Sequence, residues 1–182
     1  MQGALIHIDR IAPGVTVQDL GRPNIMGLGL SHGGAADRIA LYEATALLGV
    51  SRVLPAFECM GVGGTFRFTG PMVIALTGTK MRAKLGERSL TWGACHPVSK
   101  GDVLTIAPLQ SGGYGYVTPS CPIQTPLIYN SQAAHLTAGI GNMVQVGDCF
   151  PLGGPLCDDA RAPSNQDGSG ITKLNAKFNG RY

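Results

Sequence analysis

Charge is scarce in this chain. Asp, Glu, Lys and Arg make up 14% of its 182 residues, against about a quarter in ordinary soluble domains, so the surface has fewer ion-solvated positions than a lone monomer usually carries. Some of that surface is expected to be covered by another protein. The formal net charge of +3 is spread along the chain without basic runs or an aromatic-rich basic patch, which argues against a nucleic-acid partner. No window reaches the ~18 consecutive apolar residues that a membrane span needs, so a soluble protein with no membrane partner is expected. The cysteines Cys59, Cys95, Cys121, Cys149 and Cys157 are odd in number, lack C-x-x-C spacing and follow no secretory signal. They read as small buried thiols in a reducing, cytoplasmic setting rather than as disulfides or metal ligands. His7, His32, His96 and His135 are equally scattered, and no metal site is expected.

Glycine and proline, by contrast, are plentiful at 27 and 12 residues, more than a helical bundle tolerates and suited to short strands joined by tight turns. The length fits one domain with one core. Ala4 to Ile8 and Val15 to Leu20 read as strands about Pro13-Gly14, an opening hairpin. A glycine-rich loop, 26–34, then leads to a single convincing helix, Ala36 to Leu48. There Ile39, Leu41, Ala44, Leu47 and Leu48 form a wide apolar face, Asp37 suits the start and Gly49 the stop. Beyond it the period is two: 65–68, Met72 to Leu76, a fold about Gly86 within 81–90, Val103 to Ile106, Tyr114 to Val117, Leu127 to Tyr129 and Met143 to Val146. Residues 103–147 contain no charged side chain, yet are broken by polar and turn residues, as a stretch partly facing another protein would be. We therefore expect a mainly β domain over 1–153 and an extended tail over 154–182 that orders against a partner.

Several residues invite a chemical reading. The loop 27–34 ends at a helix start, where free N–H groups attract carboxylate or phosphate, although it matches no nucleotide-binding fingerprint and a structural glycine loop is as good an account. Asp19, Gly21 and Arg22 form a polar knot after a strand: a turn held by an Asp–Arg ion pair, or an arginine poised for a substrate carboxylate. Asp37 reads as a helix cap. Glu58, between Phe57 and Cys59, reads as a partly buried carboxylate with a raised pKa or as an ion-pair partner. Ser31 lacks a G-x-S-x-G surround, and a Ser/His hydrolase is not expected. Lys80-Met81 lacks the context of a biotin acceptor, so no covalent biotin is expected.

Taken together, the run 14–23 (Gly-Val-Thr-Val-Gln-Asp-Leu-Gly-Arg-Pro), Leu28-Gly29-Leu30, Gly34-Ala35-Ala36-Asp37 and Leu47-Leu48-Gly49 resemble the opening of one known family. Phe57-Glu58, the run 75–78, the run 100–104, the run 138–141, Val146-Gly147-Asp148 and Pro151-Leu152-Gly153 extend the likeness. That family is the biotin-dependent carboxyltransferase-like group: allophanate hydrolase subunit 2, the C subunit of 5-oxoprolinase and the matching part of urea amidolyase. The resemblance covers about residues 4–153 and implies a cyclophilin-like β-barrel with one short α-helix, normally one of two similar halves in a longer polypeptide. It also implies a second protein subunit, a small polar amide or carboxylate as substrate, and ATP or carboxybiotin supplied through that partner.

Carried onto this chain, the resemblance leaves Asp19, Arg22, Asp37, Glu58 and Thr77 as the polar site. Other positions depart from it. The family's Ser-Gly-Ala before the helix aspartate is Gly33-Gly34-Ala35, its helix asparagine is Thr45, and a late glycine-flanked arginine is Asn142. Where relatives carry an arginine, a Gly-Gly pair and a Ser-Arg-Ser-Thr run, this chain has Tyr114, Cys121-Pro122 and Ser131-Gln132-Ala133-Ala134. Arginines in an oxyanion site typically supply several kcal/mol of transition-state stabilisation. Two expectations follow: a shortened carboxyltransferase-like subunit of an amide- or lactam-processing complex, or a non-catalytic descendant acting as a structural or interaction module, by partner binding or self-assembly. A carboxylate sensor at the helix start is a third.

Overall fold

A computed structural model describes residues 3–109 and 113–153; the expected tail, 154–182, lies outside the described residues. Period-two sequence becomes strand wherever one face can be buried. The strands are β1 Leu5–Ile11, β2 Val15–Gln18, β3 Ala56–Met60, β4 Gly64–Phe68, β5 Met72–Gly78 and β6 Ala83–Leu85. They continue as β7 Arg88–Leu90, β8 Ala94–Val98, β9 Val103–Ile106, β10 Tyr114–Pro119 and β11 Cys149–Pro151. They assemble into a six-stranded sheet, order β11-β1-β4-β9-β6-β7, and a five-stranded sheet, order β2-β3-β10-β5-β8. Every pairing is antiparallel.

The protein is thus mainly β with one α-helix, as expected, but the described strands form two sheets rather than one closed barrel. The opening hairpin is also corrected. β1 pairs with β4 and β11, whereas β2 pairs with β3. Ile6 and Ile8 on β1 and Val15 and Val17 on β2 belong to the same core, so the chain turns at Pro13-Gly14 to cross from one layer to the other instead of folding back. Leu127–Tyr129 and Met143–Val146 are not strands. Tyr129 and Asn130 have positive φ (52° and 61°), which breaks the first, and each segment makes only an isolated bridge, Ile128 with Ser131 and Met143 with Thr16.

The core lies between the sheets. Phe57, Cys59, Leu76 and Val117 from the five-stranded sheet meet Phe66, Phe68 and Leu104 from the other, with the Phe57 and Phe66 rings 5.3 Å apart. The opposite face of the five-stranded sheet is covered by the helix, α1, which spans Arg38–Leu48. Its Ala40 and Leu41 pack with Ala35, Ala56 and Tyr116, and a fully buried leucine such as Leu41 contributes ~2 kcal/mol. Asp37 caps its start, accepting from the N–H groups of Ile39 and Ala40, and Gly49 ends it at φ 68°. The helix begins two residues later than the sequence suggested because the backbone of Asp37 is extended.

Of the expected buried thiols, Cys59 is buried and free, with desolvation pushing it up to about 12, whereas Cys95 is half-buried and Cys149 is exposed. Cys121 corrects the expectation, being disulfide-bonded. Among the described residues no helix is long and apolar enough to cross a membrane, and no group of three His, Cys, Asp or Glu is placed to hold a metal.

Candidate functional site

Alternation along β2, β3, β5 and β10 sends one set of side chains into the core and the other towards α1. The second set mixes apolar residues such as Ala56, packed against α1, with polar ones. Thr16 pairs with Glu58, Glu58 with Tyr116 and Tyr116 with Thr77, so these four lie in one row across the sheet. Burial forces each to find a partner. Glu58 Oε2 accepts from Tyr116 Oη–H at 2.6 Å and from Ala36 N–H at 2.8 Å, while Tyr116 Oη accepts from Asp37 N–H at 2.8 Å. One carboxylate and one phenol thereby hold the start of α1 on the sheet. Desolvation raises the Glu58 pKa against the lowering effect of those two hydrogen bonds, and burial together with Glu58 drives Tyr116 up. Thr77 Oγ1 is buried without a hydrogen-bond partner.

Asp19 ties three segments together. Its Oδ1 accepts from Gly21 N–H at 2.8 Å and from Ser131 Oγ–H at 2.7 Å, and its Oδ2 from Gln132 N–H at 2.7 Å. Beside it, Arg22 N–H donates to His32 O and Ala35 N–H to Asp19 O, so 19–22 and 32–35 run against each other backbone to backbone. That approach requires glycine. A Cβ on Gly34, at φ +88°, would lie 2.6 Å from Gly21 N, and one on Gly21 would lie 2.6 Å from Gly33 O.

The expected Asp19–Arg22 ion pair is not formed. Asp19 is saturated by N–H and O–H donors, and the two ion pairs among the described residues are Arg67–Asp9 and Lys84–Glu87. Arg22 is 1% exposed; its Nη2 donates to Ala133 O at 2.5 Å, and its Nε and Nη1 have no hydrogen-bond partner. Arg22 is one of the residues lining an open cleft of about 450 Å³, with Val17, Gln132, Asn142, Asp148 and Cys149, and its Nε and Nη1 are themselves shielded from solvent. A charged donor held unsatisfied in a cleft wall is the donor set that a carboxylate, or the carbonyl oxygen of an amide, completes.

The five expected residues therefore fall in two places. Arg22 forms the cleft wall and Asp19 braces the loop beside it, whereas Asp37, Glu58 and Thr77 lie under and at the start of α1, outside the cleft lining. Sequence reasoning missed Tyr116, whose signal was its place among Tyr114 and Thr118 on a strand of period two. It also missed Ser131 and His135: Ser31 Oγ lies 2.6 Å from His135 Nε2, across 104 positions of sequence.

Comparison with known proteins agrees with this architecture. The family "Carboxyltransferase domain, subdomain A and B" matches residues 28–177. The C subunit of the 5-oxoprolinase of Haemophilus influenzae is 32% identical over 152 residues, which is 84% of this chain and 48% of that protein. Its counterpart in Escherichia coli is 32% identical over 162 residues, 87% of this chain and 52% of that protein. The chain thus spans about half the length of these two relatives. Among solved structures, the urea amidolyase of Kluyveromyces lactis superposes with a TM-score of 0.78 at 21% identity, over 91% of this chain and 10% of that one.

Proposed function

The chain belongs to the carboxyltransferase-domain family, subdomains A and B, and from that premise we propose that it acts as a carboxyltransferase-like subunit, or part of one, in an amide- or lactam-processing complex, dependent on a partner subunit. The observation that carries the proposal is Arg22: a buried guanidinium with Nε and Nη1 unsatisfied, on a residue that lines a cleft. A small polar amide or carboxylate of the urea or 5-oxoproline kind would accept those hydrogen bonds, and a developing oxyanion would accept them more strongly. Under this reading ATP or carboxybiotin is brought by the partner, and the two sheets are the layers of a cyclophilin-like barrel. Asp19 and Glu58 act by position, the first fixing the loop that carries Arg22 and the second fixing the start of α1.

The exposed apolar side chains near the cleft support a covered surface. Ile128 and Met143 contribute to the cleft lining and are exposed, as are Leu127, Tyr129 and Val146 nearby in sequence. The same patch favours the second reading, a non-catalytic module within a larger assembly, and the two differ in turnover. Native mass of the purified chain, alone and after capture from its host lysate, followed by assay of any complex for ATP-dependent consumption of 5-oxoproline or urea, separates them. Turnover that is lost in Arg22→Met supports the enzyme reading, whereas a large inactive assembly supports the module. A dilute monomer that gains no partner sinks both.

A further inference from the structure

Outside the cleft lining, one cluster has the geometry of a nucleophile and its base. Ser31 Oγ is 2.6 Å from His135 Nε2, and Thr137 Oγ1 is 3.1 Å from the ring's other nitrogen, Nδ1. The first contact joins the glycine loop after β2 to the 3-10 turn Leu136–Ala138. Ser31 is exposed and open to a substrate, while His135 is half-buried. Among the described residues, the N–H groups of His32 and Gly33 donate to nothing, and they follow the serine directly in the chain, as an oxyanion donor commonly does. A methyl group on Gly33 would stand 3.0 Å from His135 Cδ2 and 3.6 Å from Arg22 Nη1, so the unsatisfied cation adjoins the pair.

We propose that Ser31 and His135 form a nucleophilic dyad that hydrolyses small carboxylic esters through an acyl-serine. Ser31 Oγ bonds to the ester carbonyl carbon as its proton passes to His135 Nε2; the C–O bond to the alcohol breaks and the alcohol leaves with that proton. Water then attacks the acyl-serine, its proton moving through His135 back to Ser31 Oγ as the acid is released. Thr137 orients the ring through Nδ1. A neutral hydroxyl in that place supports the imidazolium less than a carboxylate does, which directs the site to esters, whose leaving groups need little help, rather than to amides. The dyad requires no partner protein and so does not rest on the proposed complex.

The test uses the full chain with a fluorophosphonate probe, whose P–F bond is exchanged for a bond to an activated serine oxygen, and with p-nitrophenyl acetate. One probe per chain, mapped to Ser31 by peptide mass, is expected. Both labelling and ester turnover should disappear in Ser31→Ala and fall on the order of 100-fold in His135→Gln, with the thermal midpoint of each variant checked against the parent. Thr137→Asp, which restores an anionic partner at Nδ1, is expected to speed labelling about tenfold, a gain that a merely structural hydrogen bond does not produce. No label at Ser31, or labelling that His135→Gln and Thr137→Asp leave unchanged, overturns the assignment.

Discussion

Replacing Arg22 with methionine should stabilise the free protein while removing its ability to respond to a ligand. In the native chain the guanidinium is buried with Nε and Nη1 unsatisfied, and its single hydrogen bond goes to Ala133 O. Methionine has similar reach and no donors. The substitution removes two orphaned donors on a charged group and creates one orphaned carbonyl. At about 1–3 kcal/mol for each buried unsatisfied group, the balance favours the variant by about 1–3 kcal/mol. For a chain of this length that corresponds to roughly 3–10 °C in the thermal midpoint. The assay is thermal unfolding of parent and Arg22→Met side by side, with and without millimolar 5-oxoproline, urea and acetate. The parent should rise in midpoint with at least one of these, since any ligand that binds only the folded state stabilises it by mass action. The variant should start higher and not move. A variant that is less stable than the parent by more than about 3 kcal/mol would mean the guanidinium is a fully paired structural post, and would refute the reading of Arg22 as a waiting donor.

Gly34→Ala should be strongly destabilising, by at least about 3 kcal/mol in the unfolding free energy from urea titration, because a positive φ costs about 1–2 kcal/mol for an L-residue before any clash and the new Cβ would lie 2.6 Å from Gly21 N. Asp37→Ala removes an N-cap that serves Ile39 and Ala40 and should lower stability by about 1 kcal/mol; a larger loss in catalysis than in stability would instead give Asp37 a chemical role. Glu58 supplies a pH test. Its pKa in the folded protein is raised by desolvation, so its stabilising effect is fully present below the unfolded value of about 4.5 and is lost as pH rises through the folded value. Glu58→Gln, which keeps an oxygen for Ala36 N–H and Tyr116 Oη–H, should therefore gain stability relative to the parent between acid and neutral pH. Denaturant midpoints of both proteins at several pH values check the slope, and parallel curves would count against a buried, perturbed carboxylate.

The helix was readable because its signals are local: helical spacing of apolar residues, Asp37 before it and Gly49 after it; the buried face itself is Ala40, Leu41 and Ala44, with Ile39 exposed. Most strands were readable for the same reason, since alternation at Thr65–Phe68 or Val103–Ile106 reports a face directly. Pairing was not. Nothing in Leu5–Ile11 and Val15–Gln18 says that the turn between them crosses from layer to layer, because both strands bury aliphatic residues in a common core whichever way they connect. The site failed in a similar way. Asp19 and Arg22 are three positions apart and opposite in charge, which suggests a pair, but the competitors for Asp19 come from Ser131 and Gln132, more than a hundred residues away. The contact of Ser31 with His135 is equally remote. Tyr129 and Asn130, with left-handed backbone in an apolar stretch, turned an expected strand into the loop that brings those partners back.

The contact between Gly21 and Gly34 bears on how the ancestry of such chains is traced. The motif Val-Gln-Asp-Leu-Gly-Arg-Pro is the most recognisable stretch of the sequence, yet Asp19 and Gly21 in it are held by backbone packing and by a carboxylate that ties loops together. A descendant stripped of every reacting group would still need both to fold. The fingerprint therefore certifies lineage, and a genome survey that sorts active members from inert ones should score the cleft residues outside the motif, beginning with positions 132 and 142, rather than the integrity of the motif.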